Sequence, residues 1–138
     1  MKKTVLGFLL ILLFSLMGCT PERSKAVEDG SLIIELSDGT SIVETKTIAF
    51  DKGDTLFDLL ADHFTLYCAD EAGEPDDTCS YVGPYGTYLV GIGSLTAFDS
   101  GEFIAFYIDD VSSMYGIDMT LPENGKTYRF VLESYVAS

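Results

Sequence analysis

Downstream of residue 30, one segment carries helical periodicity, and the fold must be built around it. Leu56, Leu59, Leu60 and Phe64 recur at helical spacing, so their side chains share one face of a helix of roughly ten residues. Asp51-Lys52-Gly53-Asp54 breaks whatever precedes it. Asp54 or Thr55 stands where an N-cap is wanted, and Asp58 falls in the first turn, where the helix dipole favours a negative charge. The other patterned stretches read as strand. Residues 31–36 are β-rich and run into Ser37-Asp38-Gly39-Thr40, a hairpin-type turn containing Asp-Gly. Residues 42–50 alternate imperfectly, and further strands are expected at 65–69, 87–92, 102–109 and 126–136.

The order is hairpin, helix, then several strands. It predicts an α+β domain of β-grasp type, a mixed sheet packed on the Leu/Phe face of a single helix. A small β-sandwich with one incidental helix is the competing architecture. Residues 31–138 suffice for one compact domain and not for two.

The first residues read differently. Lys2 and Lys3 precede an apolar run over residues 5–16, shorter than the roughly 20 residues a membrane-spanning helix needs. That is the layout of a secretory signal. Its end, Leu16-Met17-Gly18-Cys19, resembles the lipobox of bacterial prolipoproteins, in which the cysteine becomes the acylated first residue. The expected organisation is therefore a lipoprotein signal peptide at 1–18, a flexible tether at 19–30 and the β-grasp domain at 31–138. Cys19 would be the lipidation site and the attachment to the membrane, with the domain on the extracytoplasmic face of the cell membrane. Two or more acyl chains hold stably where one binds only marginally.

Of 8 basic side chains, Lys2 and Lys3 would leave with the signal, so residues 19–138 carry 6 against 22 acidic ones, formally −16 with His63 neutral. So acidic a surface repels polyanions and excludes a nucleic-acid partner.

Several tracts carry a wider resemblance. They are Gly86-Thr87-Tyr88-Leu89-Val90-Gly91-Ile92-Gly93-Ser94-Leu95, Phe103-Ile104-Ala105-Phe106-Tyr107-Ile108-Asp109-Asp110, Met114-Tyr115-Gly116-Ile117 and Gly125-Lys126-Thr127-Tyr128-Arg129-Phe130. Together they resemble the transcobalamin C-terminal-like domain, a β-grasp module of bacterial surface lipoproteins. The resemblance spans about residues 31–136 and rests on glycines and aromatics. Two positions depart from it: Phe106 stands where the family often has tryptophan, and Glu123-Asn124-Gly125 replaces the usual aspartate of the final turn. The resemblance implies binding rather than catalysis. In vitamin B12 carriers the related domain closes over one face of a corrinoid held mainly by a separate helical domain, and residues 31–138 are expected to hold only the β-grasp part.

Residues that could carry chemistry are few. Cys68 and Cys79 flank an acidic loop, and outside the cytoplasm such a pair suggests a disulfide; free thiols or a metal pair are the alternatives. With one histidine in the chain, a Cys/His zinc set cannot be completed. Asp70, Glu71, Glu74, Asp76 and Asp77 are oxygen donors, but Ala72 stands where a calcium loop of the twelve-residue type needs a ligand. A solvated loop is the simpler reading. His63 beside Asp62 has no nucleophile in a recognisable elbow. Gly91-Ile92-Gly93 lacks the third glycine and following helix of a dinucleotide loop. No catalytic activity, metal or cofactor is expected.

The remaining feature is aromatic. Tyr81, Tyr85 and Tyr88 crowd a Gly/Pro-punctuated stretch, Phe103, Phe106 and Tyr107 share one strand, and Tyr115 follows. Tyr81, Tyr85, Tyr88 and Tyr115 are the candidate ligand-binding residues; the alternative is that these rings fill a core without tryptophan. Two functions stay open. One is a surface binding module for a small nutrient such as a corrinoid, handed to a membrane importer. The other is a protein or glycan adhesion module. A deep aromatic groove would favour the first and a flat tyrosine patch the second.

Overall fold

The computed structural model describes residues 22–135; the expected signal peptide and Cys19 lie outside the described residues. The described chain is α+β, mostly sheet with one α-helix, as the sequence pattern indicates. β1 (Gly30–Ser37) and β2 (Ile42–Phe50) form an antiparallel hairpin, followed by α1 (Leu56–His63). Then come β3 (Leu66–Ala69), β4 (Pro75–Asp76), β5 (Leu89–Ile92) and β6 (Leu95–Thr96). β7 (Glu102–Ile108), β8 (Val111–Ser112), a short 3-10 turn (Ile117–Met119) and β9 (Thr127–Ser134) complete the order.

The strands divide into two sheets. One is five-stranded in the order β2-β1-β9-β7-β8, the other four-stranded in the order β4-β3-β5-β6. β9 lies between β1 and β7, parallel to β1 and antiparallel to β7. Period-two alternation decides what the larger sheet buries. Leu32, Ile34 and Leu36 of β1, Ile48 and Phe50 of β2, and Tyr128 and Phe130 of β9 point into one core. Glu35 and Arg129 point the other way and pair at 3.1 Å on the outer face, with Asp110 2.7 Å from the same guanidinium. Buried Tyr128 keeps its hydroxyl satisfied: it donates to the Leu121 carbonyl at 3.0 Å and accepts from the Glu123 N–H at 2.9 Å. Burial pushes its phenol up to about 12.

Thr55 caps α1, its Oγ1 accepting from the Asp58 N–H at 3.1 Å. Leu56, Phe57, Leu59 and Leu60 are buried, each such side chain contributing about 1.5–3 kcal/mol. At the other end Lys46 Nζ donates to the His63 carbonyl at 2.9 Å and sits 4.4 Å above the Phe64 ring, which satisfies an orphan carbonyl at the negative end of the dipole.

Arg23 to Ala26, read from the sequence as part of the tether, are docked. The Arg23 guanidinium lies 3.8 Å over the Phe57 ring and pairs with Asp58 at 3.3 Å. Ala26 is buried, its N–H donating to the Asp54 carbonyl and its carbonyl accepting from Gly53. β4, β6 and β8 are two-residue strands that no sequence period announced.

Cys68 and Cys79 form a disulfide, so the free-thiol and metal-pair alternatives do not hold. Both cysteines are buried. Closing a loop with a sequence separation of 11 stabilises a fold by about 2–3 kcal/mol on the chain-entropy argument. Replacing both cysteines by alanine is expected to lower the unfolding free energy by about that amount, read as an earlier urea midpoint with a slightly steeper slope, because the released unfolded chain exposes more surface. An unchanged midpoint would mean that the β3–β4 hairpin is held without the bond.

Candidate functional site

The tyrosines are presented by two loops held face to face. In the first, Gly83 and Gly86 exchange main-chain hydrogen bonds at 3.0 and 3.1 Å, leaving Pro84 and Tyr85 at the tip. In the second, β8 ends at Ser112 and the chain turns through Met114, Tyr115 and Gly116. Ser113 fixes that turn, its Oγ accepting from the Tyr115 N–H at 3.2 Å.

Asp118 ties the two loops together. It is buried, and its Oδ1 accepts from the Thr87 N–H at 2.7 Å; the Gly116 N–H donates to the Tyr85 carbonyl at 2.8 Å. Two glycines permit this approach. A Cβ on Gly116 would stand 2.4 Å from the Thr87 carbonyl oxygen, and one on Gly86, at φ +103°, would stand 2.6 Å from Asp118 Oδ1. The Asp118 carbonyl also accepts from the Ser24 N–H at 2.9 Å, so the N-terminal segment braces the same point.

Between these loops and β7 lies a cleft of about 460 Å³, within the roughly 300–1,000 Å³ range of small-ligand sites. Its floor is aromatic: Phe106 stacks on Phe130 with ring centroids 4.8 Å apart and planes 2° from parallel. Tyr107, one residue on, faces the opposite side and donates to Glu133 Oε1 at 3.1 Å, which raises its phenol pKa. Tyr88 reaches towards Tyr135, itself tilted against Phe103 at 4.7 Å. Burial, reinforced by the Tyr135 hydroxyl, pushes the Tyr88 phenol up to about 12. Among the described residues Glu133 lines the cleft, and no lysine, arginine or histidine does.

Three of the four tyrosines named from the sequence, Tyr85, Tyr88 and Tyr115, line this cleft, and all three are exposed. Tyr81 is exposed too but is not part of the cleft wall. Met114, 76 % exposed, and the floor residue Phe130 belong to the site although neither was among the candidate ligand-binding residues read from the sequence. Nor did Asp118, which carries no signal beyond its place two residues after Gly116.

The acidic loop is ordered by its own carboxylates. Asp70 Oδ1 accepts from the Ala72 and Glu74 N–H groups, each at 2.9 Å. Asp76 accepts from the Thr78 N–H and hydroxyl at 3.1 and 2.6 Å, which lowers its pKa. Among the described residues no group of three or more His, Cys, Asp or Glu side chains is placed to hold a metal ion.

No family model and no curated protein matches the chain. Solved structures do. A crystal structure described as a "putative metal binding protein" from Ruminococcus gnavus superposes with a TM-score of 0.52 at 15% identity, covering 79% of this chain and 99% of that one. The likeness is one of fold.

Asp118→Ala is expected to lower stability by about 1–3 kcal/mol, because the buried Thr87 N–H loses its acceptor; Asp118→Asn, which keeps an oxygen there, should recover most of it. Thermal unfolding followed by circular dichroism checks both. Equal losses for the two variants would place the cause elsewhere than in this bond.

Proposed function

We propose that this chain is a lipid-anchored, non-catalytic binding module on the outer side of the cell membrane. Its site is the aromatic cleft between β7 and the loops bearing Tyr85, Tyr88 and Tyr115. The observation that carries this reading is the cleft itself, a concave space with a stacked Phe106–Phe130 floor and exposed tyrosines on its rim. Flat or apolar small ligands lose water on such a surface, and Tyr hydroxyls at the rim orient polar groups. A concave site favours a small nutrient, passed on to a membrane importer, over the flat patch that adhesion to a protein or glycan would use.

The fold reading that goes with it is the β-grasp, and the family reading is the transcobalamin C-terminal-like domain. A hairpin, then one helix, then a final strand parallel to β1 supports the former. A corrinoid is far larger than a drug-sized ligand, so a cleft of about 460 Å³ would take one edge of it, and the rest would need a second protein. The metal-binding description of the structural neighbour suggests a different ligand class. The turn hydrogen bonds made by Asp70 and Asp76 favour the cleft over the acidic loop.

Calorimetry of the purified protein against corrinoids, other vitamins, sugars and divalent cations tests the reading. A small-molecule hit should weaken at least about tenfold, or 1.4 kcal/mol, on Tyr85→Ala or Tyr88→Ala. Tyr81→Ala should leave it unchanged. A response to calcium alone, abolished by Asp76→Asn with Asp77→Asn, would transfer the function to the acidic loop.

Anchoring is tested separately. In a bacterial host, Cys19→Ser is expected to move the protein from the detergent phase to the aqueous phase on phase partitioning and to remove labelling by radioactive palmitate. Unchanged labelling would refute acylation at Cys19.

A further inference from the structure

One edge of β7 is covered by a strand only at its C-terminal end, and the rest of that edge borders the cleft. β9 pairs with β7 along its whole length, from Glu102 to Ile108, whereas β8 pairs only with Tyr107 and Ile108. In an antiparallel ladder successive residues direct their N–H and C=O groups to opposite sides. The Asp109 N–H donates to the Thr127 carbonyl of β9, and the Phe106 carbonyl accepts from the Ser113 N–H beyond β8. Odd-numbered residues therefore face β9, and even-numbered ones face the free edge. Beyond Ser113 the chain turns off through Met114. Among the described residues, the N–H and C=O of Ile104 and the N–H of Phe106 then have no main-chain partner.

Ile104 is 7% exposed and lines the cleft. As a residue Ile104 thus has little access to bulk water, and its main-chain N–H and C=O lack a main-chain partner, an arrangement that native structures complete with a ligand or water. A flat vitamin can cover the Phe106–Phe130 floor, but the spacing of these groups matches another main chain. Resting on the reading of this cleft as the ligand site, we propose that its ligand is a short peptide bound in extended form. The peptide adds to the free edge of β7 in line with β8 and pairs with the main chain of Ile104 and Phe106.

Strand addition of this kind draws affinity from main-chain hydrogen bonds and specificity from alternate side chains. Phe106 and Tyr107 lie on opposite faces, so successive peptide side chains would meet the stacked phenylalanines on one side and the Tyr107–Glu133 pair on the other. Charge complementarity narrows the class further. Among the described residues Glu133 lines the cleft without any basic residue, and the one cation on the Tyr107 face, Arg129, is already paired with Glu35 and Asp110. The chain carries 22 acidic against 8 basic side chains, so a peptide bearing lysine or a free amine is favoured over an acidic one. The Tyr88–Tyr135 contact stands towards the Phe103 end of the edge and limits the register to a few residues. Met114, unbranched and exposed, can adapt to different side chains.

The full-length protein in detergent, labelled with nitrogen-15, is mixed with a pool of pentapeptides that carry lysine at one position and random residues elsewhere. An identical pool N-methylated at its main-chain amides serves as the control. Amide exchange of Ile104 and Phe106 should slow at least tenfold with the first pool and not with the second, and an all-glutamate-for-lysine pool should bind more weakly. Equal protection by the methylated pool overturns strand addition. So does any result in which the peptides leave the Ile104 amide untouched while vitamins shift the Tyr85, Tyr88 and Tyr115 resonances; the cleft is then a site, but for a different class. If neither peptides nor vitamins perturb those resonances, the reading of the cleft as a site fails together with the peptide.

Discussion

β9 is the last strand in sequence and sits in the middle of the larger sheet, and most of the architecture follows from that placement. It pairs with β1 in parallel and with β7 antiparallel, so nearly the whole chain must be laid down before the sheet closes. Contacts of such sequence separation carry a large loop-closure entropy, and the inward side chains must offset it. Tyr128 and Phe130 do so by complete burial between the flanking strands. Tyr128 also holds the chain that leads into its own strand, through the Leu121 carbonyl and the Glu123 N–H.

The same placement creates the cleft. With β9 filling one side of β7, the other side is left to β8, and a two-residue strand cannot cover a seven-residue one. Asp109 and Asp110, at φ 47° and 69°, make the tight reversal that starts β8, the hairpin turn that suits twisted antiparallel strands. The strand then stops, and the chain crosses to meet the Tyr85 loop. Thus the position of the cleft is set by sheet order, and its width by the Asp118–Thr87 bond and the two glycines that admit it. The rim is fixed at its base, while the tyrosine side chains remain exposed.

Much of this was legible in the sequence because it rests on local periodicity. β1, β2, α1, β7 and β9 each carry enough alternation or helical spacing to be read alone, and the cap was narrowed to Asp54 or Thr55, of which the structure uses Thr55. The shortening of the strand expected at 87–92 to β5 (Leu89–Ile92) has a local cause: Gly86 and Thr87 are drawn onto Asp118 instead of into a ladder. The docking of Arg23 to Ala26 was hidden because it uses a cation over Phe57 and main-chain bonds to Gly53 and Asp54, neither of which leaves a periodic trace. Three rim tyrosines were recognisable as a group through their crowding, but Tyr81 shares that crowding without sharing the cleft. Phe130 could not be assigned to the floor, since only the β7–β9 register brings it opposite Phe106.

The absence of tryptophan from the sequence bears on how the cleft stays open. A tryptophan at 106 would fill more of the space beside Phe130, as large rings in tight cores do. Phe106 instead lies flat on Phe130, so the floor is two rings thick and leaves room above it. Phe106 is only partly buried against the core, which means that apolar surface faces the cleft without a protein partner. Leaving that surface wet forgoes stabilisation of about 25 cal/mol per Å², and a domain of this size has little to spare. A ligand that covers Phe106 would regain it, whatever its chemistry, and would therefore stabilise the fold as it binds.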